Sequence, residues 1–267
     1  MTADFERGLA EVLHVLASYS EDLVLVGGWV PSLYARHLGL NTRVPLFTRD
    51  IDLAVPRSFA TRGRTVDELL KEAGLEDRFK SRLKPPAVSY VGTLGGSEVE
   101  VEFLTNEPGN REGPRVVQPG LHAVGLHYID LLMESAFPID VEVGSQPVTV
   151  LVPSPTSYIV QKSLVFPQRP KREKQAKDLY NVFDVWEGCR SWREWIAAEA
   201  TGLRERRGSW ATRALDNLDM SCGIQDGEGV AMIVEQRPAT AFPDLDAEQF
   251  GQYVWGEMAE LREVLRG

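Results

Sequence analysis

Cysteine is nearly absent from this chain. Cys189 and Cys222 are the only two in 267 residues. Two thiols make no disulfide framework, and these two lack the spacing of a zinc site. They read as packing residues in a reducing compartment. Long apolar runs are missing too. "LVLVGGWV", residues 23–30, is far shorter than the roughly 20 apolar residues that cross a bilayer. The first residues carry Asp4 and Glu6 and no leader-like apolar segment, so a cytoplasmic location is expected. Nor is there an excess of positive charge. Lys and Arg number 29 against 39 Asp and Glu, for a net charge of −10. That excludes a protein that coats nucleic acid by general attraction, but it leaves room for a local basic patch. No internal repeat and no low-complexity tract occurs.

What is present is ordinary for a globular chain: 43% hydrophobic and 25% charged residues, enough to bury a core. Phe5, Leu9, Val12, Leu13 and Leu16 recur at helical spacing. "LVLVGG" reads as a buried strand ending in a glycine turn, and "WVPSLYARHLG" as a helix with Pro31 in its first turn. "DIDLAV" is a short alternating strand. "TVDE", residues 65–68, matches a capping box. "AVSYVGTL" and "EVEVEFL", joined by "GGS", form one expected hairpin, and "IDVEV" and "VTVLV" another. "NEPGNREGPRVVQPG" reads as a loop. From Ser154 onward the pattern turns helical, through "TSYIVQKSLVF", "KQAKDLYNVFDVWEG" and a terminal helix. The expectation is an α+β fold of two domains: a mixed sheet with flanking helices over 1–153, and a mainly helical domain over 154–267.

The chemistry starts at "DID". In a strand, residues i and i+2 share a face. Asp50 and Asp52 therefore project together while Ile51 points to the core. Adjacent carboxylates repel unless a cation lies between them, and hard oxygen ligands suit Mg²⁺. Alone, the pattern is weak. Acid–apolar–acid triplets also occur at 4–6, 98–100, 100–102, 140–142 and 244–246, and most such triplets are solvated strand faces. The glycine turn at Gly27 and Gly28 adds backbone N–H groups where a phosphate can approach. "SEVEVEFLTN" adds Glu98, Glu100 and Glu102 on one strand face. One of them can complete a three-carboxylate cluster for two metal ions about 4 Å apart.

Taken in order, Gly27 and Gly28, then Thr48, Asp50 and Asp52, then Glu102 in "VEFLT" resemble the nucleotidyltransferase fold superfamily. They are most similar to its minimal bacterial branch, which includes the AbiEii-like toxin nucleotidyltransferases. The resemblance covers roughly residues 20–185. It implies Mg²⁺-dependent transfer of a nucleoside monophosphate from an NTP to a hydroxyl on an RNA or tRNA end, a protein or a small molecule. It also implies a possible toxin–antitoxin role. Asp50 and Asp52 become metal ligands. Glu102 becomes the third carboxylate and base, with Glu100 as the alternative.

A lysine, a basic stretch and "K-D" on a helix extend the match. Here these are Lys162, "PQRPKREKQAKDLYN", Lys177 and Asp178. The resemblance assigns Lys162, Lys177 and Asp178 to nucleotide binding. Arg169, Lys171, Arg172 and Lys174 are the candidate contacts to an RNA acceptor. The chain departs from the family pattern at four points. Asn181 replaces a second aspartate, the gap from Gly28 to Asp50 is longer than in compact members, Trp29 follows the glycine pair so that Ser32 is the nearest hydroxyl, and Glu stands as the third acid. These departures raise the alternative of a catalytically silent nucleotide- or partner-binding protein. His14 reads as structural or exposed, and His37 faces substrate in the sharper reading. His122 and His127 lie in a loop or helix without a third ligand. The tryptophans of the C-terminal half read as core or interface anchors.

Overall fold

The computed structural model of the protein describes residues 2–38, 50–81, 87–109, 113–143 and 146–267. The chain divides into two compact units, Met1–Val30 with Phe47–Ser154, and Pro31–Leu46 with Pro155–Gly267. The architecture is a mixed sheet with flanking helices and a helical C-terminal region.

The first unit holds nine described strands: β1 (Val24–Val26), β2 (Asp50–Val55), β3 (Glu76–Ser81), β4 (Ala87–Leu94), β5 (Ser97–Asn106), β6 (Gly113–Gln118), β7 (Leu121–Leu126), β8 (Phe137–Val143) and β9 (Gln146–Val152). The main path runs β3-β4-β5-β2-β1-β9-β8, with β7 pairing β5, and β6 pairing β7. β2 and β5 are parallel, and β1 and β2 antiparallel. Both expected hairpins form. In the β4–β5 turn, Gly95 and Gly96 sit at φ +58° and +82°, the positive values a tight two-residue turn demands.

Alternation along the strands separates two faces. Ile51, Leu53, Val55, Val99, Val101 and Phe103 are all buried, on the side where α1 (Thr2–Val15) packs over β4 and β5. On the opposite side, Val24, Val26 and Ala54 pack with Ile129 and Leu132 of α4 (Ile129–Glu134), and Leu104 adds to them. Farther along this second face, β2 and β5 carry Asp50, Asp52, Glu98, Glu100 and Glu102 instead. α3 (Val66–Glu72) opens with the expected capping box. Glu68 N donates to Thr65 Oγ1 at 3.1 Å, and Thr65 N donates to Glu68 Oε2 at 2.8 Å.

The structure departs from the sequence reading at several points. "EDRFKS" forms β3 although most of its residues are charged. "GPRVVQ", inside the presumed loop, forms β6. Among the described strands β6 pairs with β7 alone, and an edge position tolerates Pro114. β5 is an interior strand between β4 and β2. His122 lies in β7, and His127 follows that strand. Phe5 and His37 have side chains outside the described residues, and Thr48 lies outside them altogether.

In the second unit, α5 (Pro155–Val165) packs against α6 (Arg172–Gly188) and α7 (Arg193–Cys222). α8 (Glu228–Glu235) lies on α6, and α9 (Ala247–Arg266) on α7. α7 breaks its helical geometry at Arg207. Trp186, Tyr158, Tyr180, Phe183 and Phe250 fill the core. Cys189 and Cys222 are buried, and burial pushes both thiols up to about 12. Among the described residues no helix is long and apolar enough to cross a membrane.

Candidate functional site

Strand register builds the site. The parallel pairing of β2 and β5 sets Asp50 opposite Glu100, and Asp52 opposite Glu102. Directly opposed residues in a sheet share a face. Four carboxylates therefore occupy adjoining positions on two neighbouring strands. On its other side Asp52 opposes Val26, the last residue of β1, so the glycine turn begins beside it.

Gly27 fits closely against that aspartate. It sits at φ +74°, and a Cβ there would lie 3.1 Å from Asp52 Cγ and 3.2 Å from Asp52 Cβ, overlapping the carboxylate. Glycine is thus required twice, by backbone conformation and by proximity. The helix α2 (Val30–His37), which carries Ser32, follows the turn directly.

Two cations that the sequence reading missed reach this face from β3. Arg78 Nη1 donates to Glu100 Oε2 at 3.1 Å, and Lys80 Nζ lies 2.7 Å from Glu100 Oε1. Lys80 also bridges to Glu102. Ser89 Oγ donates to Glu100 Oε1 at 2.8 Å. Partial burial works against the Glu100 charge, but Lys80 and Ser89 hold its carboxyl below the ordinary range. Burial likewise opposes the Lys80 ammonium, which Glu100 and Glu102 hold above its ordinary value. The missed signal was the period-two spacing of Glu76, Arg78 and Lys80 in "EDRFKS".

Glu100 and Glu102 are therefore unequal. Glu100 receives Arg78, Lys80 and Ser89, whereas Lys80 is the one donor to Glu102 among the described residues. A groove of about 610 Å³ opens on this face, lined in part by Asp50, Glu76, Arg78, Thr93, Glu98 and Glu100. Among the described residues, no three His, Cys, Asp or Glu side chains converge as a ready-made metal cage. The donors are nevertheless all carboxylate oxygens, and the missing Cβ at Gly27 leaves room for the Asp52 carboxylate itself. This set fits a hard divalent cation such as Mg²⁺ rather than a soft one.

The remaining site candidates lie in the helical unit. Lys162 of α5 is buried and donates to Asp178 Oδ1 of α6 at 2.6 Å, and Arg169 Nε donates to Asp178 Oδ2 at 2.7 Å. Burial works against the Asp178 charge, but Lys162 and then Arg169 outweigh it and hold the carboxyl below its ordinary value. Arg172 pairs with Glu228 and Glu235. Lys171 and Lys174 are exposed, and Lys177 is half-buried. Asn181 is buried.

Comparison with known proteins adds to this geometry. A crystal structure of an antigenic nucleotidyltransferase-like protein from Paracoccidioides brasiliensis is similar at 16% identity and a TM-score of 0.37, covering 77% of this chain and 92% of that one. No curated protein matches the chain. A family profile described as nucleotidyltransferase matches residues 7–194, a span that contains Gly27, the carboxylates of β2 and β5, and the Lys162–Asp178 pair. The chain belongs to this nucleotidyltransferase family.

Proposed function

We propose that the protein moves a nucleoside monophosphate from a nucleoside triphosphate to a hydroxyl acceptor. The observation that supports this reading is the position of Asp52, set between the Gly27 turn and Glu102. Asp50, Asp52 and Glu102 would hold magnesium, which when bound neutralises phosphate charge and assists departure of the leaving group. The N–H groups of the Gly27–Gly28 turn donate to phosphate oxygens. The acceptor oxygen attacks the α-phosphorus, the bond to the β-phosphate breaks, and pyrophosphate leaves. Glu102 takes the hydroxyl proton at a carboxylate oxygen. Glu102 suits this role better than Glu100, whose carboxylate receives three donors.

An RNA acceptor is supported by the basic stretch. Lys171 and Lys174 are exposed there and have no carboxylate partner among the described residues, as phosphate contacts require. A toxin–antitoxin role fits either chemistry, and growth arrest on expression that Asp52→Ala abolishes would support it. The buried Asn181, where relatives carry a second aspartate, favours a second reading of nucleotide binding without transfer. Incubation with α-labelled NTPs, Mg²⁺, RNA and cell lysate separates the two. Label transfer is expected, falling at least about 100-fold in Asp52→Asn with its thermal unfolding unchanged. Equal transfer by that variant, or none by the wild-type protein, would overturn the enzymatic reading. Nucleotide binding without turnover would establish the second.

A further inference from the structure

The acid-bearing face carries five carboxylates, Asp50, Asp52, Glu98, Glu100 and Glu102, and among the described residues the two cations that pair with its glutamates, Arg78 and Lys80, come from β3. β3 is an edge strand, and its pairing with β4 is irregular. Glu76, Arg78 and Phe79 oppose Val91, Ser89 and Val88, and then the register shifts so that Ser81 opposes Ala87. Lys80 falls inside the shift. Such irregularities release one residue from the ladder and re-aim its side chain, often beside functional sites. Here the re-aimed ammonium lies across Glu100 and Glu102.

The two carboxylates respond differently to losing it. Glu100 keeps Arg78 and Ser89, so it stays neutralised and positioned. Glu102 keeps no other donor among the described residues. The Lys80 side chain is 39% exposed, and its flexible four-carbon stem can swing into water. A divalent cation on Glu102 and this ammonium repel each other and compete for one carboxylate, whose Oε1 Lys80 occupies. The doubly charged ion gains more from the carboxylate at equal distance.

We propose that Lys80 is an exchangeable counter-ion: it occupies Glu102 until a divalent cation arrives, and then yields that carboxylate. The inference rests on the metal-binding reading of Asp52 and Glu102. Its consequence is a metal affinity set below what the carboxylates alone would give, because the ligand is available only while Lys80 is away.

Mn²⁺ titration by calorimetry, without nucleotide, tests the exchange. Lys80→Met is expected to bind Mn²⁺ roughly tenfold more tightly than wild type, as for a carboxylate free about one-tenth of the time. Arg78→Met removes the same charge but acts on Glu100, so its gain is expected to stay below about threefold. Lys80→Gln repeats the test if the methionine variant is poorly folded. Equal affinity in wild type and the Lys80 variants overturns the exchange and leaves the metal site standing. Equal gains in the Lys80 and Arg78 variants also overturn it, because they reduce the effect to net charge. Absence of Mn²⁺ binding in every variant, or undiminished binding by Asp52→Asn, removes the metal-site reading and the exchange with it.

Discussion

On the sheet face, Lys80 meets Glu102 with side chains 39% and 21% exposed; in the helical unit, Lys162 meets Asp178 at 10% and 7%. The signs of the surplus are opposite. On the sheet, Arg78 and Lys80 pair with Glu100 and Glu102 on a face that carries five carboxylates, whereas Lys162 and Arg169 share the single Asp178. The buried group is closed. Lys162 and Asp178 are both desolvated, so each depends on the other. The sheet face is open, and among the described residues its acids outnumber Arg78 and Lys80. The first kind of arrangement is costly to break, and the second leaves capacity for an added cation.

Removing the lysine from each cluster gives the largest contrast. Lys162→Met leaves Asp178 buried with Arg169 alone and is expected to destabilise the protein by roughly 3 kcal/mol, the low end for a broken buried pair. Urea unfolding would show this, and a loss no greater than that of Lys80→Met would erase the distinction. The pH dependence sharpens it. The Asp178 carboxyl is held below its ordinary 3.8 in the folded state. The unfolded chain therefore binds the proton first, and the stabilisation is fully present above that value. It is lost as pH falls through the folded-state value. Without Lys162 that depression shrinks, so acid unfolding of Lys162→Met should begin at higher pH than in the wild-type protein.

The two regions also differed in how far sequence revealed them. Asp50, Asp52 and the three glutamates were legible because a strand repeats every two residues, and spacing alone places them on common faces. The strand-to-glycine turn was legible for the same local reason. Register was not, because the pairing of β2 with β5 joins residues fifty positions apart, and no local pattern selects Glu102 over Glu100. β3 escaped notice because Phe79 is the one strong strand former in "EDRFKS". Its partners Arg78 and Lys80 were missed with it. In the helical unit, the Lys162 and "KD" spacing could be read from the chain. That Lys162 is buried against Asp178 depends on how α5 packs on α6, which spacing does not contain.

Glycine offers a smaller test of the open site. Gly27 and Gly96 both adopt positive φ, at +74° and +82°, but a Cβ at Gly96 would meet nothing within 4 Å. Alanine at either position is expected to lose about 1–2 kcal/mol to the left-handed conformation. Gly27→Ala should add a second effect, displacement of Asp52, read as at least about tenfold weaker Mn²⁺ binding, a difference near 1.4 kcal/mol. Gly96→Ala should bind Mn²⁺ as the wild-type protein does. Equal metal affinities in the two variants would detach the glycine turn from the carboxylates.

Arg78→Ala should have the smallest effect, and its smallness is informative. Arg78 is 60% exposed where it meets Glu100, so water and salt already screen the pair. Exposed pairs of this kind contribute about 0–1 kcal/mol. Glu100 also retains Lys80 and Ser89, so no carboxylate is left bare. Removing one cation from an acid-rich face does leave more repulsion among Asp50, Glu98 and Glu100, and screening by salt acts on that repulsion. Urea unfolding should therefore show a loss below about 1 kcal/mol at low ionic strength that shrinks further as salt is added. A loss near that of Lys162→Met, or one insensitive to salt, would mean that the sheet cluster is as closed as the helical one. The open face would then have no ion to exchange.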